Sequence, residues 1–299
     1  MSTAAGASDA VVLSQARADG HSSAWAALAF PAVFIVIGAL VIPVLVMVLL
    51  SFVDRSGSIS LDNYRLLISD PSLPTVIGTT VSIALWCTLL CVLLGTPVAY
   101  LLSEVPQKIA GLLLIAVLLP FWTSLLVRTY AMLLLLQRRG LVNQTLQSIG
   151  LTAEPLQLAH NVTGTVIAMT QIMLPYFILP LYVSFRRIDR GMMNAAAGLG
   201  ATPIRVFWTI TLPQARSGLL AGGFLVFVLC FGFYVTPAIL GGGRVIMMAQ
   251  AINTYLGLYP NWGAAGALAT VLFLCTLLTL GFMRLCMVYL TRKRTTSRA

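Results

Sequence analysis

Two histidines, eight acids and five cysteines are the chain's whole stock for acid–base, nucleophilic or metal chemistry, and their spacing serves none of it. His21 stands in a polar N-terminal stretch and His160 between two apolar runs; neither belongs to a His-Glu-x-x-His helix, and no nucleophile elbow is present. Cys87, Cys91, Cys230, Cys275 and Cys286 fall inside or at the ends of apolar runs, with no Cys/His cluster at ligand spacing. They read as small buried hydrophobes. Lys108 and Lys293 are the only lysines, and neither follows the glycine pattern that cradles a nucleotide phosphate. Catalytic and metal residues are therefore expected to be absent. What stands out is NAAAGLGATPIRVFWTITLP, residues 194–213: small residues, glycines, prolines and an arginine set between segments apolar enough to lie in lipid.

Its local grammar predicts two short helices. Asp189 can cap the first, and the alanine-rich stretch Met192–Leu199 favours helix. Gly200 is a natural stop, because glycine reaches the left-handed backbone on which helices often end. Thr202 followed by Pro203 starts the second helix, threonine as cap and proline at the first helical position. Ile204, Phe207 and Trp208 are expected on one face of it, and Pro213 at its end. Met193 and Leu199 are placed to fill a hydrophobic groove on another protein.

The surrounding elements must be membrane spans. The chain is 59% hydrophobic and 9% charged, where a soluble domain carries roughly 25% charged residues. Such a surface needs the lipid bilayer as solvent. Runs long enough to cross it occur at Trp25–Phe52, Thr75–Ser103, Ile109–Leu126, Val162–Phe185, Gly218–Leu240 and Trp262–Leu290. The fold class expected is all-α and polytopic, with about six transmembrane helices. Residues 1–24 read as a disordered tail, 25–290 as the transmembrane domain and 291–299 as a basic tail. Within the mixed segment 127–161, RTYAMLLLLQRRGLVNQTL is amphipathic in part and suited to lie along the membrane surface. Six spans put both termini on one side. Arg55, Arg65, Arg128, Arg138, Arg139 and Arg244 fall on the other, leaving twelve of the 18 Lys and Arg with the termini and the 186–217 loop. By the positive-inside rule that side is cytoplasmic. The net charge of +10 is thus an orientation signal. No basic stripe with interleaved aromatics accompanies it, which excludes nucleic acid as a partner.

No acid lies deep in any span, where coupled carriers place their ionisable groups. A self-sufficient secondary carrier or channel would also leave the 194–213 segment unexplained, and a scaffold would need no solute path. The residues point instead to transport driven by an external motor.

That segment resembles the signature loop of inner-membrane permeases of ATP-binding-cassette importers, which reads Glu-Ala-Ala, three residues, Gly, then about nine residues to an aliphatic-x-Leu-Pro. Asn194, Ala195 and Ala196 take the first places, Gly200 the glycine, Phe207 a position often Phe, and Ile210, Leu212 and Pro213 close it. The resemblance implies a cytoplasmic coupling helix between the fourth and fifth spans that docks on an ATPase. Met193, Asn194, Ala195, Ala196, Leu199, Gly200, Thr202, Pro203, Phe207, Leu212 and Pro213 would make the contact. Asn194 departs from the usual acid, Gly198 from a common polar residue and Ser217 from a common proline. RTYAMLLLLQRRGLVN (128–143), LPYFILPLYVSFRRID (174–189) and FGFYVTPAILGGGR (231–244) are similar to the spermidine/putrescine branch. The branch also imports opines, phosphonates and other small solutes. The resemblance implies a subunit with no enzymatic activity and no cofactor of its own, in the bacterial inner membrane. Its partners would be two ATPases carrying ATP and Mg, a second and different permease chain, and a periplasmic solute-binding protein. Phe121, Trp122, Arg128, Tyr130, Tyr176, Phe177, Phe231 and Tyr234 are candidates to line the path; the aromatics suit a gate or a cation–π surface, and equally ordinary packing or an interfacial belt. Arg128 suits either a periplasmic partner or an anionic solute.

Overall fold

A computed structural model describes residues 31, 33–54, 57–257 and 261–296. The expected N-terminal tail (1–24), the start of the first run at Trp25 and the last residues of the C-terminal tail lie outside them. Among the described residues, four apolar helices are long enough to cross a bilayer: α1 (Val33–Ser51), α3 (Leu73–Glu104), α7 (Val162–Arg186) and α13, whose apolar part is Trp262–Phe282 and which runs on to Thr296. The other two expected spans are broken. In the third, α4 (Gln107–Leu118) and a 3-10 turn (Leu119–Trp122) give way to α5 (Leu125–Leu136) and α6 (Leu141–Ser148), the two halves bent by 97°. The expected boundary at Leu126 therefore falls inside a second helix. In the fifth, α9 (Pro203–Gln214) meets α10 (Arg216–Phe231) at 68°. A short helix, α11 (Val235–Leu240), follows a non-helical step at 232–234, so Gly218–Leu240 is not one continuous helix. The remaining helices are α2 (Asp62–Ser69), α8 (Arg190–Gly198) and α12 (Met248–Gly257). Among the described residues the sole β feature is a bridge between Val53 and Ile59.

The core is the triple contact of α3, α7 and α10. α3 and α7 run parallel: the Cys91 thiol donates to Thr170 O (3.7 Å), and the Tyr100 and Phe185 rings meet edge-on at 5.7 Å. α10 runs against both, with Gly218 under Ser184 and Gly222 under Phe177. Glycine permits this closeness, because a side chain at either position would occupy the space of the α7 backbone. Cys87, Cys91 and Cys230 are wholly buried here as free thiols, the role their apolar setting indicated.

One end of the bundle gathers the loop 53–60, α2 and the start of α13. Asn63, 4% exposed, donates its amide to Ser51 O (3.0 Å) and Val53 O (2.9 Å). Tyr255 on α12 donates its hydroxyl to Asp70 (3.1 Å). The Ser72 backbone N–H, then its hydroxyl, hold the Asp70 carboxyl below its ordinary value. The other end carries α8 and α9. Helix interiors satisfy their backbone groups locally, which is what lipid demands.

α5 turns one apolar face onto the bundle. It packs against α11 and α7, because Leu125, Met132, Leu133 and Leu136 turn inward. The loop after it is pinned by Asn143, which is 0% exposed. Its amide donates to Gln137 O (3.0 Å) and Leu156 O (2.9 Å), and its oxygen accepts from Leu156 N (2.9 Å). Asn143→Ala strands these groups and should cost roughly 2–3 kcal/mol. A lowered thermal midpoint in detergent and faster proteolysis within 137–156 are expected; an unchanged midpoint would refute the pin.

Candidate functional site

The 187–215 knob is assembled from local signals. Asp189 Oδ1 accepts from Gly191 N (2.8 Å) and caps α8. α8 ends on Gly200 at φ +83°, with Ala201 N donating to Ala196 O (3.1 Å) and Gly200 N to Ala197 O (2.9 Å). That pair of bonds is the Schellman closure. Thr202 Oγ1 then accepts from Arg205 N (3.4 Å), and Pro203 opens α9. All three expectations of capping and turn hold.

Two details differ. Pro213 does not end the second helix, which passes through a π-helical turn at Phe207–Thr211 and stays helical to Gln214. A π turn absorbs a proline by widening the ladder where its N–H is missing. Phe207 does not share a face with Ile204 and Trp208. Its ring goes inward to Tyr100 (4.9 Å) and Phe185 (6.5 Å), while Ile204 and Trp208 stay exposed. Phe207 is thus the bolt between knob and bundle. Met193, expected on the outside, is half-buried over a crevice with Glu104, Phe185 and Arg190; Met192 is exposed instead. Leu199 is 90% exposed. Asn194, Ala195, Thr202 and Pro213 are exposed too, and Ala196 and Leu212 half-buried.

Sequence reasoning missed the tie between knob and α3. Arg190 Nη2 donates to Ser103 O (3.0 Å) and lies 3.8 Å from Glu104. The carbonyl bond matters more, because an ion pair this exposed contributes about 0–1 kcal/mol. Arg190 and Ser103 are 87 positions apart in the chain, so no local spacing could have disclosed them.

The candidate path residues do not form one surface. Phe177, at 0% exposure, is wedged between Gly95 and Gly222, and Phe231 is 4% exposed; both are core, a correction to their place on the path. Aromatic rings fill a core as readily as they line a gate. Phe121 and Tyr176 pack edge-on at 5.0 Å. Trp122, Tyr130 and Tyr234 are exposed. Thr129 and Thr236 hydroxyls meet at 3.1 Å, joining the Arg-Thr-Tyr and Thr-Pro motifs and tying α5 to α11. Arg128, beside Thr129, has its Nε and Nη1 buried without an acceptor. No group of three or more His, Cys, Asp or Glu able to hold a metal occurs among the described residues.

No family model matches the chain. It is 31% identical over 234 residues to the spermidine/putrescine transport system permease protein PotB of Haemophilus influenzae, covering 76% of this chain and 82% of that protein. It is also 31% identical over 207 residues to the molybdenum transport system permease protein ModB of Mycobacterium bovis, covering 69% and 76%. Among solved structures, a chain of the bacterial alginate ABC transporter in complex with alginate pentasaccharide-bound periplasmic protein superposes with a TM-score of 0.71 at 15% identity, covering 89% of this chain and 94% of that one. The helical bundle is therefore the importer-permease fold, and with nearly a third of its residues shared over most of both chains, this protein belongs to the family of ABC importer permease subunits that includes PotB.

Proposed function

We propose that the chain is one of two membrane subunits of a binding-protein-dependent importer and forms half of the path for spermidine, putrescine or a related amine. The relatives named for those solutes support the amine. The observation that carries the coupling role is the knob. Two capped helices meet at a left-handed glycine and hold Met192, Leu199, Ile204 and Trp208 out in solvent, while Phe207 bolts them to the bundle. An apolar tip on a rigid mount, outside the spans, suits docking into a cleft.

In this reading the knob faces the cytoplasm with both termini and seats on one of two ATPases, which bind ATP and Mg. ATP-driven closure pushes α8 and α9, and the α3–α7–α10 core carries the push into the spans. A periplasmic binding protein delivers solute at the opposite end, and a second permease completes the path. The transmembrane domain covers 25–290. The chain itself catalyses nothing; a solute that binds both states equally cannot be driven, so the energy enters through the ATPases.

Arg128 favours a second reading. Buried guanidinium donors without acceptors are costly, and an acidic group on the solute would supply them, as in an amino-acid derivative or a phosphonate. Vesicles containing the assembled transporter and its binding protein are expected to accumulate labelled spermidine only with ATP. ATP-dependent accumulation of a labelled acidic amine derivative, with none of labelled spermidine, would shift the assignment to the second reading. Leu199→Asp is expected to cut co-purification of the ATPase at least tenfold, about 1.4 kcal/mol of docking; unchanged recovery would refute the docking face.

A further inference from the structure

We infer that the break in the fifth crossing is a contact site for a protonated amine, built from the backbone at Gly232, the Tyr234 phenol and the Asn253 amide. α10 has 16 residues. At about 1.5 Å per residue it advances roughly 24 Å, short of the ~30 Å hydrocarbon core. The chain therefore unwinds before it has crossed. Non-helical backbone at that depth is tolerated only inside protein or beside water. Gly232 and Tyr234 are exposed on this chain, so the chain itself does not cover them. Either a second permease or water must meet their outer face, and the polar groups gathered there favour water.

Polar groups gather there. Asn253 on α12, also exposed, donates its amide to the Tyr234 hydroxyl oxygen at 3.2 Å. The bond uses one amide hydrogen and leaves the Asn253 carbonyl oxygen as an acceptor. The C-terminal turn of α10 adds carbonyls that lack intrahelical partners; of these Cys230 O takes Phe233 N at 3.3 Å. A helix C-terminus carries about half a negative charge, and the Tyr234 ring offers a π face to a cation. The patch is rich in acceptors and has no carboxylate. It suits an N–H donor that must bind and then leave, which describes an ammonium group in transit.

The inference rests on the amine reading above, and two experiments separate them. Gly232 has ordinary φ and nothing within 4 Å of an added Cβ, so Gly232→Cys should fold. In the assembled transporter, that cysteine is expected to react with a charged, membrane-impermeant thiol reagent, whereas Leu93→Cys on the lipid-exposed flank of α3 stays unlabelled. Failure of Gly232→Cys to react overturns the water-facing site. The second experiment measures ATP-dependent spermidine uptake. Asn253→Leu and Tyr234→Phe are each expected to lower it about fivefold, the weight of roughly one hydrogen bond, with ATPase recovery unchanged. Asn253→Asp, which keeps an acceptor, should retain uptake within about twofold of wild type. Equal uptake by the leucine and aspartate variants overturns the site. Wild-type vesicles that take up no amine overturn the substrate reading instead, whatever the labelling shows.

Discussion

Gly222→Leu is expected to prevent the chain from accumulating in folded form, while Gly223→Ala, one residue on, leaves it intact. A Cβ at position 222 would sit 2.9 Å from Phe177 O, 3.1 Å from its ring and 3.3 Å from Pro180 Cγ. The oxygen belongs to the backbone of α7 and cannot step aside. Nor can the ring, because Gly95 on α3 closes its other face, where a Cβ would come within 2.5 Å of it. Phe177 thus locks three helices through two glycines, and leucine would add three further carbons to a full space. Overpacking costs roughly 1–3 kcal/mol where side chains can shift, and more where backbone must. Against a total stability of about 5–15 kcal/mol, the loss is severe. At Gly223 an added Cβ meets only Thr88 Cγ2 at 3.8 Å, an ordinary contact. Alanine there gains about 1 kcal/mol of helix propensity. The yield of monodisperse protein in detergent and its thermal midpoint read both variants; similar values for the two would disprove the wedge.

Gly200→Val should leave the bundle folded and break its coupling. Nothing lies within 4 Å of an added Cβ, so the cost is all in the backbone. At φ +83° a β-branched residue is a genuine outlier, and even an unbranched one is about 1–2 kcal/mol worse than glycine. The turn would relax out of the left-handed region, undo the Ala201–Ala196 and Gly200–Ala197 bonds, and re-aim Leu199 relative to Ile204 and Trp208. Coupled uptake should fall at least tenfold, about 1.4 kcal/mol in productive geometry, while unfolding in detergent stays near wild type. Gly200→Asn, which tolerates the left-handed region, should recover much of the loss. Full solute-stimulated hydrolysis and uptake by the valine variant would rule out a mechanical role for the turn.

Much of this was legible in the chain, for a physical reason. Hydropathy reports transfer into lipid residue by residue, so α3, α7 and the start of α13 came out within a few positions of their helices. Caps are equally local: Asp189, Gly200, Thr202 and Pro203 act on neighbours three or four residues away. The interruptions at 123–124 and 232–234 were not legible, because long apolar runs flank Thr123 and Ser124 as well as 232–234, and averaged hydropathy does not register a lost helical bond. Phe207 and Trp208 are adjacent aromatics with opposite fates, decided by Tyr100 and Phe185 more than 20 residues away.

The sequence by itself determined the solvent, the long apolar helices and a capped knob between two of them, since each depends on composition or short-range bonding. Only the tertiary structure decided which aromatics are core, where α10 unwinds against α12, and that Arg128 lacks an acceptor. Those outcomes depend on which distant surfaces meet, and close packing distinguishes side chains that composition treats alike.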